Sequence, residues 1–101
     1  MLVVRVMVRS KPDTAEQVMS ALKDVVSPSR MLDGVVSFDI GRDLTDPDVF
    51  TATEVFEDRA ALERQQALPE IAKALEVQQQ SLAADPQATI FNVSSSEPWG
   101  D

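Results

Sequence analysis

The sequence predicts an α+β fold: a four-stranded antiparallel sheet carrying helices on one face, connected in the ferredoxin-like split βαβ order. Three observations lead there. Stretches rich in valine, isoleucine and phenylalanine alternate with a two-residue period, as half-buried strands do. Between them lie segments whose apolar residues recur every three or four positions, as amphipathic helices require. The order along the chain is strand, helix, strand, strand, helices, strand, and proline or glycine punctuates most of the junctions.

Leu2 to Arg9 is the first strand, with Leu2, Val4, Val6 and Val8 on one face and Val3, Arg5, Met7 and Arg9 on the other. β-Branched valines suit this pleated surface, and apolar residues on both faces predict cover on both sides. Ser10-Lys11-Pro12 is a turn, and Asp13 is placed as an N-cap with Glu16 as its capping-box partner. The first helix is expected from Thr14 to Val26 on the stripe Ala15, Val18, Met19, Leu22, Val25 and Val26, in which the methionine is core filler. Ser27-Pro28-Ser29 is expected to stop it, because proline disfavours helical geometry in the residue before it. Ser29 to Leu32 then makes a short turn into Asp33-Gly34.

Val35 to Asp43 is the second strand, with Val36, Phe38 and Ile40 alternating against Ser37 and Asp39. Leu44 to Asp48 turns the chain back into the third strand, Val49 to Glu57. Asp58 caps the next helix, and Pro69 opens a third at a position that proline suits. Leu68, Ile71, Ala72, Leu75 and Leu82 form that helix's buried stripe. Ala83 to Pro86 is a loop before the last strand, Ala88 to Ser95. One domain over 1–96 and a tail over 97–101, carrying Trp99, are expected.

Composition narrows the function. A 101-residue chain buries only about two thirds of the surface its unfolded form exposes. Pairing with a second copy, sheet against sheet, is therefore expected. The apolar and charged fractions, 44% and 26%, are those of an ordinary globular domain. No run of about 18 apolar residues occurs, and the N-terminal strand meets Arg5 too early for a signal peptide. A cytoplasmic protein without membrane contact is expected. The net charge of −8, with nine basic residues spread along the chain, opposes binding to nucleic acid phosphates and to anionic lipid.

There is no histidine, cysteine or tyrosine. That removes haem held by such ligands, structural zinc, a thiol nucleophile and a histidine base. Three glycines leave no phosphate loop and no dinucleotide turn. No cofactor and no metal are expected.

The candidate chemistry lies between Glu54 and Glu70. Glu54 shares a strand face with Phe50, Ala52 and Phe56, where a carboxylate is costly unless paired or protonated. Desolvation would raise its pKa toward neutrality, the range in which a carboxylate serves as a proton acceptor. The alternative is a salt bridge to Arg30 or Arg5 that only fixes the corner. Arg30 is either a planar clamp for a phenolate or carboxylate or an exposed turn residue. Gln65 and Gln66 can hydrogen-bond a ligand but cannot carry protons, and Gln66 fits a solvated helix face. Phe38 and Phe56 are either core or the aromatic walls of a slot.

From the first strand and Lys11-Pro12, through Ser29-Arg30 and Gly34, to Glu54, Phe56, Leu62 and the last strand, the chain resembles the antibiotic biosynthesis monooxygenase family. The resemblance spans nearly the whole chain and implies a dimeric α+β barrel. It further implies a cofactor-independent oxygenase acting on a quinol or an aromatic polyketide, with a pocket between helices and sheet. Carried over residue by residue, it puts Arg30, Phe38, Glu54, Phe56 and Gln65 at that pocket. Relatives commonly carry histidines where this chain has Gln65 and Glu70, and tryptophan where it has Phe56. The haem-degrading branch needs an axial histidine that is missing here.

Three classes of function stay open: a cofactor-free oxygenase with Glu54 as base and Arg30 holding the anion, a module that binds an aromatic small molecule without turnover, and a structural dimer.

Overall fold

The structure is a computed structural model and describes residues 1–100; Asp101, the end of the expected tail, lies outside them. The elements run β1 (Leu2–Arg9), α1 (Ala15–Arg30), β2 (Val35–Arg42), β3 (Val49–Phe56), α2 (Arg59–Gln66), α3 (Pro69–Ser81) and β4 (Gln87–Asn92). The strands form one sheet in the order β2-β3-β1-β4, antiparallel throughout. This is the split βαβ fold that the sequence predicts. Among the described residues no helix is long and apolar enough to cross a membrane.

The pairing register decides which side chains meet the helices. Leu2, Val4, Val6 and Val8 stand opposite Phe56, Glu54, Ala52 and Phe50, and strand alternation puts all eight on one face. Phe38 and Ile40 of β2 join them through Glu54 and Ala52. Ala88 and Ile90 of β4 join through Val6 and Val4. Under α2 this face packs Leu2, Val4 and Phe56 against Ala61. Under α1 it packs Val8 and Phe50 against Val18, and farther along Phe38 packs against Val25 and Ala74. The helices leave β4 uncovered, and all six of its residues are exposed. The opposite face presents Val3, Met7, Val55 and Phe91 among arginine and threonine, with Phe91 49% exposed.

Several local expectations are corrected. α1 does not stop at Val26 but runs through Pro28 to Arg30. Proline lacks the N–H that would continue the ladder, yet Val25 and Ser29 are fully buried on the helix's inner face, and their packing holds the last turn. Asp13 is not the N-cap: a 3-10 turn over Pro12–Thr14 precedes the helix. Thr14 takes the cap position, and its hydroxyl donates instead to the carbonyls of Lys11 and Ser81. Val36 leaves the inward set because β2 bulges between Val35 and Ser37. In α3 the buried positions are Ala74 and Ser81, and Leu75 is half exposed. The last strand spans Gln87–Asn92 rather than Ala88–Ser95.

Asp58 caps α2 as expected, accepting from the Ala61 N–H at 2.9 Å. Gly34 seats that helix. Its φ is +85°, and a Cβ there would lie 2.7 Å from Ala61 Cβ, so only glycine permits both the turn and the approach. Arg64 completes the seat by donating to the Asp33 carbonyl at 2.9 Å.

Candidate functional site

Beyond Ala61 the helical layer opens. α2 runs on only to Gln66 and α3 departs at Pro69, and a cavity of about 240 Å³ remains between the three helices and the inner face of the sheet. Its walls are apolar, formed by Val6, Leu22, Phe38, Phe50 and Ile71. Leu75, Pro86 and Ala88 line its uncovered side toward β4.

Glu54 is the ionisable residue in this lining. It is 5% exposed, and its Oε1 is buried without a hydrogen-bond partner. Burial pushes its carboxyl up from 4.5 to about 7, because a charge without partners is poorly solvated there. The salt bridge that would have tamed it does not form. Arg5 pairs with Thr53 in the sheet register and belongs to the opposite face. Arg30 sits on the last turn of α1 and donates to the Phe38 carbonyl at 2.8 Å and to Asp39 Oδ1 at 3.0 Å.

Gln65 enters from α2, one turn after Ala61 on the buried side of that helix. It is 1% exposed. Its Nε2 donates to Ser29 Oγ at 3.1 Å, and its Oε1 accepts from Gln66 Nε2 at 2.7 Å. An amide carries two N–H donors, so the chain of three side chains fixes Gln65 through one of them.

Of the five residues singled out from the sequence, the structure brings Glu54, Phe38 and Gln65 to one cavity. Phe56 is fully buried in the adjoining cluster with Leu2, Val4 and Ala61, and Arg30 points to the β2 backbone outside it. The residue that sequence reading missed is Ser29. Its signal was there: Val18, Leu22, Val25 and Ser29 continue one helical stripe, concealed by Pro28. Among the described residues no group of three or more histidine, cysteine, aspartate or glutamate side chains is placed to hold a metal ion.

The sequence model of the antibiotic biosynthesis monooxygenase family matches residues 1–77. The chain belongs to that family. A crystal structure of an antibiotic biosynthesis monooxygenase superposes with a TM-score of 0.86 at 22% identity, over 94% of this chain and all of the other. A protein from Pseudomonas aeruginosa gives 0.85 at 24% identity, over 93% of this chain and 94% of its own. One from Mycobacterium tuberculosis gives 0.88 at 18% identity, over 96% and 98%. At such identities these likenesses establish the fold, and the site has to be argued from its own residues. No curated protein matches. Gln65 lies in the cavity lining and Glu70 outside it.

Proposed function

We propose that this family member is a cofactor-independent monooxygenase acting on a small quinol-like or aromatic polyketide-like molecule, with Glu54 as the base. The observation that carries this reading is an unpartnered carboxyl, its pKa raised to about 7, in an otherwise apolar cavity. A base works best when its pKa lies near the operating pH. Glu54 as carboxylate takes a proton from a ring CH₂ that is tautomeric with a phenol. The resulting anion passes one electron to dioxygen, and the radical pair closes a C–O bond. The peroxide so formed takes that proton back from Glu54. As its O–O bond breaks, Glu54 removes the second C–H proton and passes it to the departing oxygen. One oxygen leaves as water, the other stays as a carbonyl, and the CH₂ has given up four electrons to O₂. Gln65 and Gln66 supply neutral donors to the substrate oxygen, the part that Arg30 is too far committed to Asp39 and Phe38 to play.

Oxygen uptake over a panel of quinols and anthrones tests this, with Glu54→Gln measured beside the parent protein. Uptake that falls at least a hundredfold in the variant is expected. Equal uptake by both proteins removes Glu54 from the role of base.

One observation favours a second reading, in which the cavity binds an aromatic molecule without turning it over. Glu54 has no second ionisable group beside it in the lining, so proton transfer rests on a single carboxyl. Absence of uptake with retained binding would select that reading.

The assembly we propose is a homodimer joined through the helix-free face of the sheet, where Val3, Met7, Val55 and Phe91 stand. Light scattering at micromolar concentration is expected to give twice the 11.1 kDa chain mass; a monomer would refute it.

A further inference from the structure

The cavity holds an unusual charge balance. Every element packed around Glu54 contributes apolar or amide side chains to the lining: Val6 and Val8 from β1, Phe38 and Ile40 from β2, Gln65 and Gln66 from α2. α1 adds Leu22 and Val25, and α3 adds Ile71, Ala74, Leu75 and Gln78. No lysine or arginine is among them, so the site contains at most one negative charge and nothing to neutralise a second. Two like charges at close range in a poorly solvated space repel strongly.

Proton transfer within the site respects that limit. When Glu54 takes a proton from a neutral substrate, the negative charge moves from the carboxylate to the substrate and the total stays the same. A substrate that arrives already ionised would double it. Size adds a second bound. At about 240 Å³ the cavity is larger than the ~150 Å³ that encloses a single benzene and smaller than the ~300–1,000 Å³ typical of drug-sized ligands.

We infer that the cavity selects its ligand by charge, taking small uncharged aromatic molecules that bear a hydroxyl or keto oxygen and rejecting their carboxylates. Glu54 sets the rejection. The Ser29–Gln65–Gln66 chain supplies the recognition, since a hydrogen-bonded amide can serve a neutral oxygen without adding charge. Ser29 acts through Gln65 and is a positioning residue. This inference rests on the cavity being a ligand site, which the proposed function shares, but it requires no turnover.

The test is calorimetric binding of 2-naphthol and 2-naphthoate, which share a ring system and differ in charge. At about pH 8, above the value of about 7 to which burial raises the Glu54 carboxyl, naphthol is expected to bind at least tenfold more tightly than naphthoate. In Glu54→Gln the gap is expected to shrink to threefold or less, because the repelling charge is gone while the shape is kept. Lowering the pH to about 6 is expected to strengthen naphthoate binding to the parent protein and not to the variant. Ser29→Ala is expected to weaken naphthol at least threefold without altering that pH response. Equal affinities at the higher pH, a gap unchanged in Glu54→Gln, or no binding of either probe would each overturn the inference. Discrimination without oxygen uptake would leave it standing and sink the oxygenase reading; uptake without discrimination would do the reverse.

Discussion

Phe56 and Glu54 stand two residues apart on the same face of β3, and their surroundings differ in kind. Phe56 faces Leu2 across β1 and Val35 across β2, and Ala61 closes over it. Glu54 faces Val4 and Phe38 and meets a void. The strand is continuous, so the contrast comes from the helical layer. Gly34 lets α2 settle close above Phe56. One rung farther along, only the last turn of α2 reaches over the sheet, through Gln65 and Gln66, and a cavity is left that no side chain fills. A fold that closes its core at one rung can thus hold a costly carboxyl at the next.

The comparison breaks most visibly at Phe56. Truncating a fully buried aromatic removes its transfer energy and leaves a cavity, about 3–5 kcal/mol in all. Phe56→Ala is expected to lose that much in urea unfolding. A loss under about 1 kcal/mol would mean that this end of the sheet is as open as the Glu54 end.

The opposite sign is expected one rung away. The folded Glu54 carboxyl titrates at about 7 against an ordinary value of 4.5. Between those values the folded protein holds a proton that the unfolded chain has released. Stability therefore falls as pH rises through that window and levels off above it. At about 1.36 kcal/mol for each pH unit of displacement, the full loss is about 3 kcal/mol. Glu54→Gln removes this dependence. Its melting temperature is expected to exceed that of the parent protein at about pH 8, with the difference vanishing near pH 4. A parent protein whose stability is flat across the window would show that Glu54 is solvated or paired in solution.

Much of this contrast was legible in the sequence. Strand alternation places Phe50, Ala52, Glu54 and Phe56 on one face, and a carboxylate among them announces its own anomaly. The Asp58 cap and the Pro69 start of α3 follow from local backbone chemistry, which short sequence windows contain. What was not legible depends on contacts between distant segments. Pro28 signals a helix end, yet burial of Ser29 against Gln65, thirty-six residues away, carries α1 past it. The bulge at Val36 follows from how β2 meets β3. Ala72 and Leu75 fit a helical stripe as well as Ala74 does, and only the way α3 packs on α1 selects Ala74. The cavity is a place where packing stops, which no residue type encodes.

Arg30 gives the smallest expected effect and the sharpest check on the charge argument. Resemblance placed it at the pocket, where a guanidinium would neutralise the anion beside Glu54. In the structure its ion pair with Asp39 spans side chains that are 54% and 67% exposed, a setting in which such pairs contribute about 0.2–1 kcal/mol. Arg30→Ala is accordingly expected to cost about 1 kcal/mol in stability and to change oxygen uptake and naphthol affinity less than twofold. If uptake instead falls tenfold while the fold is kept, the guanidinium must leave Asp39 and enter the cavity during the reaction. The site would then hold a cation after all, carboxylates would be admitted, and the distinction between a dry core at Phe56 and a charge-limited cavity at Glu54 would have to be redrawn around Arg30.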